Sequence, residues 1–497
     1  MQNLYYICAQ PATFYYAWQV DAMLLSFEEN GEVDLKKVHI VCSSHQGVHE
    51  NFVKVEEKWR QKGVLFAYYK DTRPTRNYIS SIRPHILMKH WQKHPWLAAQ
   101  NVFYHDCDIA LTKPINFDDK LTHDLAKTCY LSDTVSYIGA NYIDGKKHDL
   151  LDLMCEVVGD ITPEEVRKRE LESGGAQYLL KPGISGQFWR KVYEDSENLM
   201  SIVSKRIAEI KKDEPEWHEL QIWCADMWAV LWNLWKAGYE TPTTKDLEFT
   251  WGTQPTKNWE TWAIYHNAGV TKEETGKPFY KSKYVSVNPT LAPRPGNEFA
   301  SQKYYDLVVK AWNTTHGNKC ILVGNGTSVM DNEFGFEIDK FDEVVRFNAA
   351  KVDGYEKHVG SKKGTLVTVE RSHLPGRAND WSKVYTHSWR PEDKCLLHKD
   401  WKEHREDVQR IEESLWKRLQ LDAKKRGFPL KQMSTGLIVI FHMLKQYESV
   451  WLYGFDWWDR EEHHYSDKNP RGTAHEPKKE FEIIAQLEAE GKIKWLK

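Results

Sequence analysis

Short apolar runs alternate with longer stretches whose apolar positions recur every three to four residues, first over residues 3–106 and again after residue 319. NLYYICA (3–9) reads as a strand, the amphipathic stretch Ala17–Glu29 as a helix, KKVHIVCSS (36–44) as a second strand, and NVFYHD (101–106) as a strand ending in acidic residues. Strand and helix in alternation predict an α/β layer structure, whose ligands gather at the carboxyl ends of the strands. The pattern loosens after Trp251, and VNPTLAPRPGN (287–297) packs three prolines and a glycine into a span that reads as a linker. It restarts with the strands CILVG (320–324), FDEVVRFN (341–348) and GTLVTV (364–369). Helical patterns at 400–426 and 435–446, the strand SVWLYGF (449–455) and a closing helix over 477–490 complete a second α/β domain. The expected organisation is a domain over 1–290, a linker over 291–317 and a domain over 318–497.

Composition narrows the possibilities. A chain of 497 residues exceeds what one hydrophobic core usually serves. With 41% hydrophobic residues it can bury sizeable cores, and its net charge of −3 gives no electrostatic footprint for nucleic acid or an anionic membrane. Eight scattered cysteines with no CxxC pair favour reduced thiols and a cytoplasmic setting. The N-terminus lacks a basic segment followed by an unbroken apolar one, and the longest apolar run considered, GLIVIF (436–441), is far short of a transmembrane span. Aromatic residues make up 13% of the chain. Trp59, Trp91 and Trp312 sit at core spacing, whereas Tyr137, Trp223, Trp251, Trp389, Trp457 and Trp458 flank the candidate sites and suit either the core, the safer reading for any one of them, or the C–H faces of sugar rings.

Asp106-Cys107-Asp108 follows a strand directly. Two hard oxygen ligands there suit Mg²⁺ or Mn²⁺ bridging to substrate phosphates, although a bare DxD also fits a solvated turn. Upstream, Arg83 opens a helix and has the planar fork that pairs with phosphate; downstream, His266 supplies an imidazole for the metal or the pyrophosphate. With HDCD followed by LTKP, SGGAQYLLKPG (173–183), WCADMWAVLW (223–232) and YHNAG (265–269), this half resembles a GT-A nucleotide-sugar glycosyltransferase. The resemblance implies that Asp106, Asp108 and His266 hold the metal, and that Gly174, Gly175, Gln177 and Asp226 face a UDP-sugar, or another NDP-sugar, or the acceptor. Whether this step retains or inverts is left open. Turn geometry for the glycines and helix capping for Asp226 are the alternatives.

In the second half Cys320–Val323 runs into Gly324-Asn325-Gly326, a turn that lets backbone N–H groups approach an anion. The stretch ILVGNGTSVMDNEFGFEIDKFDEVVRFNAAKVDGYEKHVGSKKGTL resembles the large sialyl motif of the sialyltransferase family. Ser434-Thr435-Gly436-Leu437 with VWLYGFDWW resembles its small motif, His463-His464-Tyr465 the third, and His475 with Glu480 five residues on the last. The resemblance implies that Asn325 and Asn348 bind the cytidine monophosphate of a CMP-sugar. Ser434, Thr435 and Gly436 would contact its ribose or its acidic sugar, sialic acid or Kdo. His464 would neutralise the leaving phosphate and His475 act as general base, giving inversion, while Glu480 would hold His475 or cap its own helix. Golgi members carry a disulfide between the large and small motifs; here Cys320 lies in the first region but Tyr447 stands near the second, so the bond is expected to be absent.

The implied fold is two Rossmann-like α/β domains, and the implied function a bifunctional glycosyltransferase acting on a glycan or glycolipid acceptor. The rival readings are an N-terminal nucleotidyltransferase and a glycan-binding protein with inactive transferase domains.

Overall fold

The computed structural model describes residues 4–44, 47–121, 127–272, 277–369, 379–387, 405–411, 413–457, 462–470 and 475–497. Two compact units emerge, one comprising Met1–Pro289 with Glu298–Tyr304 and the other Thr290–Asn297 with Tyr305–Lys497.

The first unit contains β1 (Leu4–Pro11), β2 (Val38–Ser43), β3 (Leu65–Tyr69), β4 (Asn101–His105), β5 (Ile109–Leu111), β6 (Tyr130–Asp133), β7 (Gly174–Leu180), β8 (Phe249–Trp251) and β9 (Ile264–His266). Its main sheet has the order β3-β2-β1-β4-β7-β6. The first four strands are parallel, and β7 runs antiparallel to both β4 and β6. The chain builds outward from β1 to β3 and then returns to place β4 on β1's other side, so a crevice opens at the carboxyl ends of β1 and β4. A small sheet, β5-β9-β8, follows the turn after β4. The helix Phe14–Glu29 is buried without interruption from Ala17 to Phe27. It was expected to be amphipathic; being covered on every face, it keeps no polar stripe. Helix Ala225–Lys236 is likewise buried from Ala225 to Trp235, and its Trp228 and Trp232 join Trp91 and Trp189 in the main core. Trp59 is also fully buried, as its spacing predicted.

The second unit holds β10 (Cys320–Val323), β11 (Glu343–Phe347), β12 (Thr365–Val369), β13 (Lys383–His387), β14 (Gln409–Arg410), β15 (Val450–Tyr453), β16 (Glu462–His464), β17 (Asp467–Pro470) and β18 (Ile493–Trp495). Seven of these form a parallel sheet in the order β14-β13-β12-β11-β10-β15-β18. The order reverses between β10 and β15, which makes their carboxyl ends the second crevice. Every residue of β10 is buried, as a central parallel strand requires.

Three further expectations need correction. The stretch 291–317, read as a linker, contains the helix Ser301–His316, with Tyr304, Tyr305, Val308, Val309 and Ala311 buried. Trp312 in that helix is half-buried and stacks on His316 one turn later rather than sitting in a core. Within 400–426, Gln409–Arg410 is a strand, and the described helix runs only from Glu413 to Lys425.

Candidate functional site

β4 ends at His105, and the chain turns through Asp106-Cys107-Asp108 into β5, where antiparallel pairing sets Ile109 opposite His266 of β9. This register brings ligand atoms of Asp106, Asp108 and His266 within 4.8 Å of one another, the one such His/Cys/Asp/Glu group among the described residues. His266 Nε2 lies 3.3 Å from Asp108 Oδ1 and 3.7 Å from Asp106 Oδ2. Behind the ring, Gln177 Nε2 is 3.3 Å from His266 Nδ1. Two carboxylates after β4 and an imidazole at the end of β9 fit Mg²⁺ or Mn²⁺ with coordination positions left for phosphate oxygens.

Cations of the protein already balance these carboxylates. Arg83 spans Asp106 and Asp226, and Lys281 Nζ donates to Asp108 Oδ2. Burial alone would raise the Asp108 pKa, but Lys281 and then His266 outweigh it and hold the carboxyl well below the usual range. Burial disfavours the charged Lys281, yet Asp108 more than compensates and its pKa is raised.

Arg83, Asp106, Asp108, Asp226 and His266 line one cavity of about 690 Å³, together with Tyr137, Trp223, Trp251 and Lys281. Gly174, Gly175 and Gln177, expected to face the sugar, are not among its lining residues. A Cβ on Gly174 would lie 2.5 Å from the Ser132 carbonyl oxygen, and one on Gly175 would lie 2.6 Å from Tyr178 Oη. Both glycines are there for close packing, and the fully buried Gln177 buttresses His266. The intervening Ala176 does line the cavity, with φ of +69°. Lys281 escaped sequence reasoning because it stands 173 residues from its partner in no recognisable motif.

In the second unit β10 runs into Gly324-Asn325-Gly326 and β15 into Gly454-Phe455-Asp456. The two turns lock together: Gly324 N–H donates to Tyr453 O at 2.8 Å and Gly326 N–H to Gly454 O at 3.0 Å. A Cβ on Gly324 would lie 2.2 Å from Gly454 O, and one on Gly326 would lie 2.5 Å from Asp456 Oδ2. Close approach of the two strand ends therefore requires glycine at both positions, independently of any ligand.

Asn325 Nδ2 donates to Phe347 O at 3.0 Å, and Asn348, at φ +49°, accepts from Val369 N–H at 3.3 Å. Ser434 caps the helix Thr435–Met443, its Oγ accepting from Leu437 N–H at 3.2 Å. Its own N–H and hydroxyl donate to Glu480 at 2.7 and 2.5 Å. Holding this cap is a role the sequence reading did not give Glu480. Burial pushes the Glu480 pKa up to about 7 despite the two Ser434 bonds. His387 Nε2, 3.1 Å from Thr435 Oγ1, also went unnoticed; burial lowers its pKa to about 4.

Gly324, Asn325, Gly326, Asn348, Ser434, Thr435, Gly436, His464 and His475 all line a single cavity of about 180 Å³, with Trp457 and Glu480 beside them. Of the six aromatics expected near the sites, Tyr137, Trp251 and Trp457 are half-buried and Trp223 is exposed, while Trp389 and Trp458 lie outside the described residues. Cys320 is a free, buried thiol packed in the same apolar cluster as Tyr447.

The family model for glycosyltransferase family 29 (sialyltransferase) matches residues 281–398. Over those residues the chain resembles the sialyltransferase family. Among curated relatives, the rat CMP-N-acetylneuraminate-beta-1,4-galactoside alpha-2,3-sialyltransferase is 43% identical over 58 residues, 12% of this chain and 16% of the relative. The human protein of the same description is 48% identical over 50 residues, 10% and 13% of the two chains. Rat lactosylceramide alpha-2,3-sialyltransferase is 40% identical over 53 residues, 11% and 14%. The chain thus spans about a sixth of the length of the curated relatives it matches. Among solved structures, a mammalian sialyltransferase in complex with Gal-beta-1-3GalNAc-ortho-nitrophenol is 20% identical over 36% of this chain and 69% of that one, with a TM-score of 0.30. The galactosyltransferase LgtC with donor and acceptor sugar analogues is 12% identical, covering 61% and 95%, at a TM-score of 0.31. The bifunctional glycosyltransferase WbbM is 8% identical, covering 57% and 50%, at 0.34. The family match ends before Ser434, His464 and His475, so the placement of these residues rests on the cavity itself.

Proposed function

We propose that the chain is a bifunctional glycosyltransferase acting on a glycan or glycolipid, with an NDP-sugar step in the first unit and an inverting CMP-sugar step in the second. The observation that carries this is the convergence of nine motif residues, drawn from segments near 325, 348, 435, 464 and 475, on one cavity beside the β10/β15 reversal. Asn325 and Asn348 hold the nucleotide, and Ser434, Thr435 and Gly436 present a capped helix N-terminus to the anionic donor. His475 takes the proton from the acceptor hydroxyl as its oxygen attacks the anomeric carbon, and His464 neutralises the departing phosphate on the opposite face. The transferred acid is sialic acid or Kdo.

In the first unit Asp106, Asp108 and His266 would hold Mn²⁺ or Mg²⁺, whose Lewis acidity neutralises a departing diphosphate. Arg83 fixes Asp106 and Asp226 relative to each other beside the reacting groups. The seven described cysteines are all free and buried, in keeping with a cytoplasmic setting.

Calorimetric titration with UDP, GDP and CMP, each with and without Mn²⁺, tests the proposal. Expected are one metal-dependent nucleotide site abolished by Asp108→Asn and one metal-independent CMP site. His475→Ala should keep CMP binding but lose transfer from the CMP-sugar. A chain that binds one nucleotide only defeats the two-step reading, and pyrophosphate release from an NTP and a sugar 1-phosphate assigns the first unit to nucleotidyl transfer.

A further inference from the structure

The first unit's cavity has two chemically distinct sides. On one, Asp106, Asp108 and His266 cluster, and Trp251 lies parallel to the His266 ring at 6.5 Å. Arg83 bridges from Asp106 across to Asp226, and three residues before Asp226 stands Trp223. Trp223 is 59% exposed and Ile79 is 82% exposed, yet both line this cavity.

Their exposure is built into the fold. The hydroxyl of the buried Tyr78 lies 2.5 Å from both the Trp223 carbonyl and the Asp226 carboxylate. The Tyr78 carbonyl in turn accepts from Arg73 Nη1 at 3.0 Å, and its N–H donates to the buried Glu197 at 3.4 Å. Tyr78 thus anchors the backbone of Trp223 directly and that of Ile79 through the chain, while both side chains stay at the cavity rim. The carboxylate of Asp226, bound by Arg83 and Tyr78, retains lone pairs for a further donor. Gln221, exposed and also lining the cavity, offers an amide. A flat apolar surface beside fixed polar groups, inside a cavity that is otherwise polar at its metal end, matches a ligand with one C–H face and a hydroxylated edge.

We infer that Trp223 and Ile79 form the acceptor platform of the first unit, on which the C–H face of a pyranose ring stacks while Asp226 and Gln221 meet its hydroxyls. This rests on the reading of the first unit as an NDP-sugar transferase. A donor whose diphosphate lies against the Asp106–Asp108–His266 cluster leaves the Trp223 side for the acceptor, with Arg83 between the two.

Saturation-transfer NMR on the full chain, with Mg²⁺ and either UDP or GDP present, provides the test. The probes are lactose, methyl α-D-glucopyranoside and methyl α-D-mannopyranoside. At least one should receive saturation from the wild-type protein, most strongly at the ring C–H protons of one face. That signal should fall about fivefold or more in Trp223→Ala and recover in large part in Trp223→Phe, which restores an aromatic face. Metal-dependent nucleotide affinity should stay within about twofold in both variants, since neither touches the metal side. The platform is refuted if no pyranoside is saturated by the wild type, if the Ala variant saturates like the wild type, or if Phe is no better than Ala. Binding of phosphatidylglycerol vesicles that is lost in Trp223→Ala while pyranoside signals persist refutes it in favour of a lipid surface. Absence of any metal-dependent nucleotide site in the wild type instead overturns the transferase reading on which the platform rests.

Discussion

Replacing Glu480 by Gln removes a carboxyl that the fold holds at a thermodynamic disadvantage. Glu480 is 2% exposed, and burial raises its pKa from 4.5 to about 7. Between those values the folded chain carries a proton on this group that the unfolded chain has released, so stability falls as pH rises through the window. At about 1.4 kcal/mol per pH unit the full loss is about 3 kcal/mol, complete above pH 7. Glu480→Gln never ionises and should lack this component. Calorimetric unfolding of the full chain between pH 4.5 and 8, following the transition of the second unit, should therefore show the wild type losing about 3 kcal/mol relative to the variant. Comparing differences across pH cancels other titrating groups and any constant effect of the substitution. Curves that run parallel would refute the reasoning. The ionised form has a compensating use. A carboxylate accepts from both the N–H and the hydroxyl of Ser434, whereas an amide accepts one bond and donates the other.

Lys281→Met should tighten binding of Mn²⁺ alone. Like unit charges about 4 Å apart repel by roughly 4 kcal/mol near a protein surface, and realising even a third of that is about a tenfold gain in affinity. Unchanged or weaker Mn²⁺ affinity by calorimetry shows that the Lys281–Asp108 pair does not oppose the metal. Gly324→Ala forces a Cβ to within 2.2 Å of the Gly454 carbonyl oxygen, a backbone atom that moves only if β10 and β15 part. A cost of about 2 kcal/mol and a roughly tenfold loss of CMP affinity are expected, and an affinity within about twofold of wild type excludes this role for the turn.

Both sheets were legible because their central strands are short apolar runs bounded by turn residues, and Cys320–Val323 and Val450–Tyr453 fall inside the predicted stretches. The second cavity was legible because its residues occur in a fixed motif order. What escaped is what only three-dimensional pairing creates. Gly174 and Gly175 read equally well as sugar-facing or as packing residues until β7 is laid against β6, where a Cβ on Gly174 meets the Ser132 carbonyl, and until the Tyr178 side chain of the same strand is placed, whose hydroxyl a Cβ on Gly175 meets. Gln177 and Lys281 act on His266 and Asp108 across 89 and 173 residues of sequence. The helix Ser301–His316 was hidden by its prefix: three prolines and a glycine before it drew attention from the apolar spacing of Tyr304, Val308 and Ala311.

The division of the chain at residues 290–305 has a consequence for how the protein is made and cut. The first unit takes back Glu298–Tyr304 after the chain has already contributed Thr290–Asn297 to the second. Tyr304 is fully buried, and its ring stacks at 5.1 Å on Tyr265, the neighbour of His266. A nascent chain halted at residue 290 has Asp106, Asp108 and His266 yet lacks the tyrosine that packs on the neighbour of His266. Ribosomal emergence of the segment through Tyr304, rather than of those three side chains, sets the earliest moment at which the packing around them can be completed. The same crossing means that protease scission or gene fission at the proline-rich stretch separates Tyr304 from the body it completes.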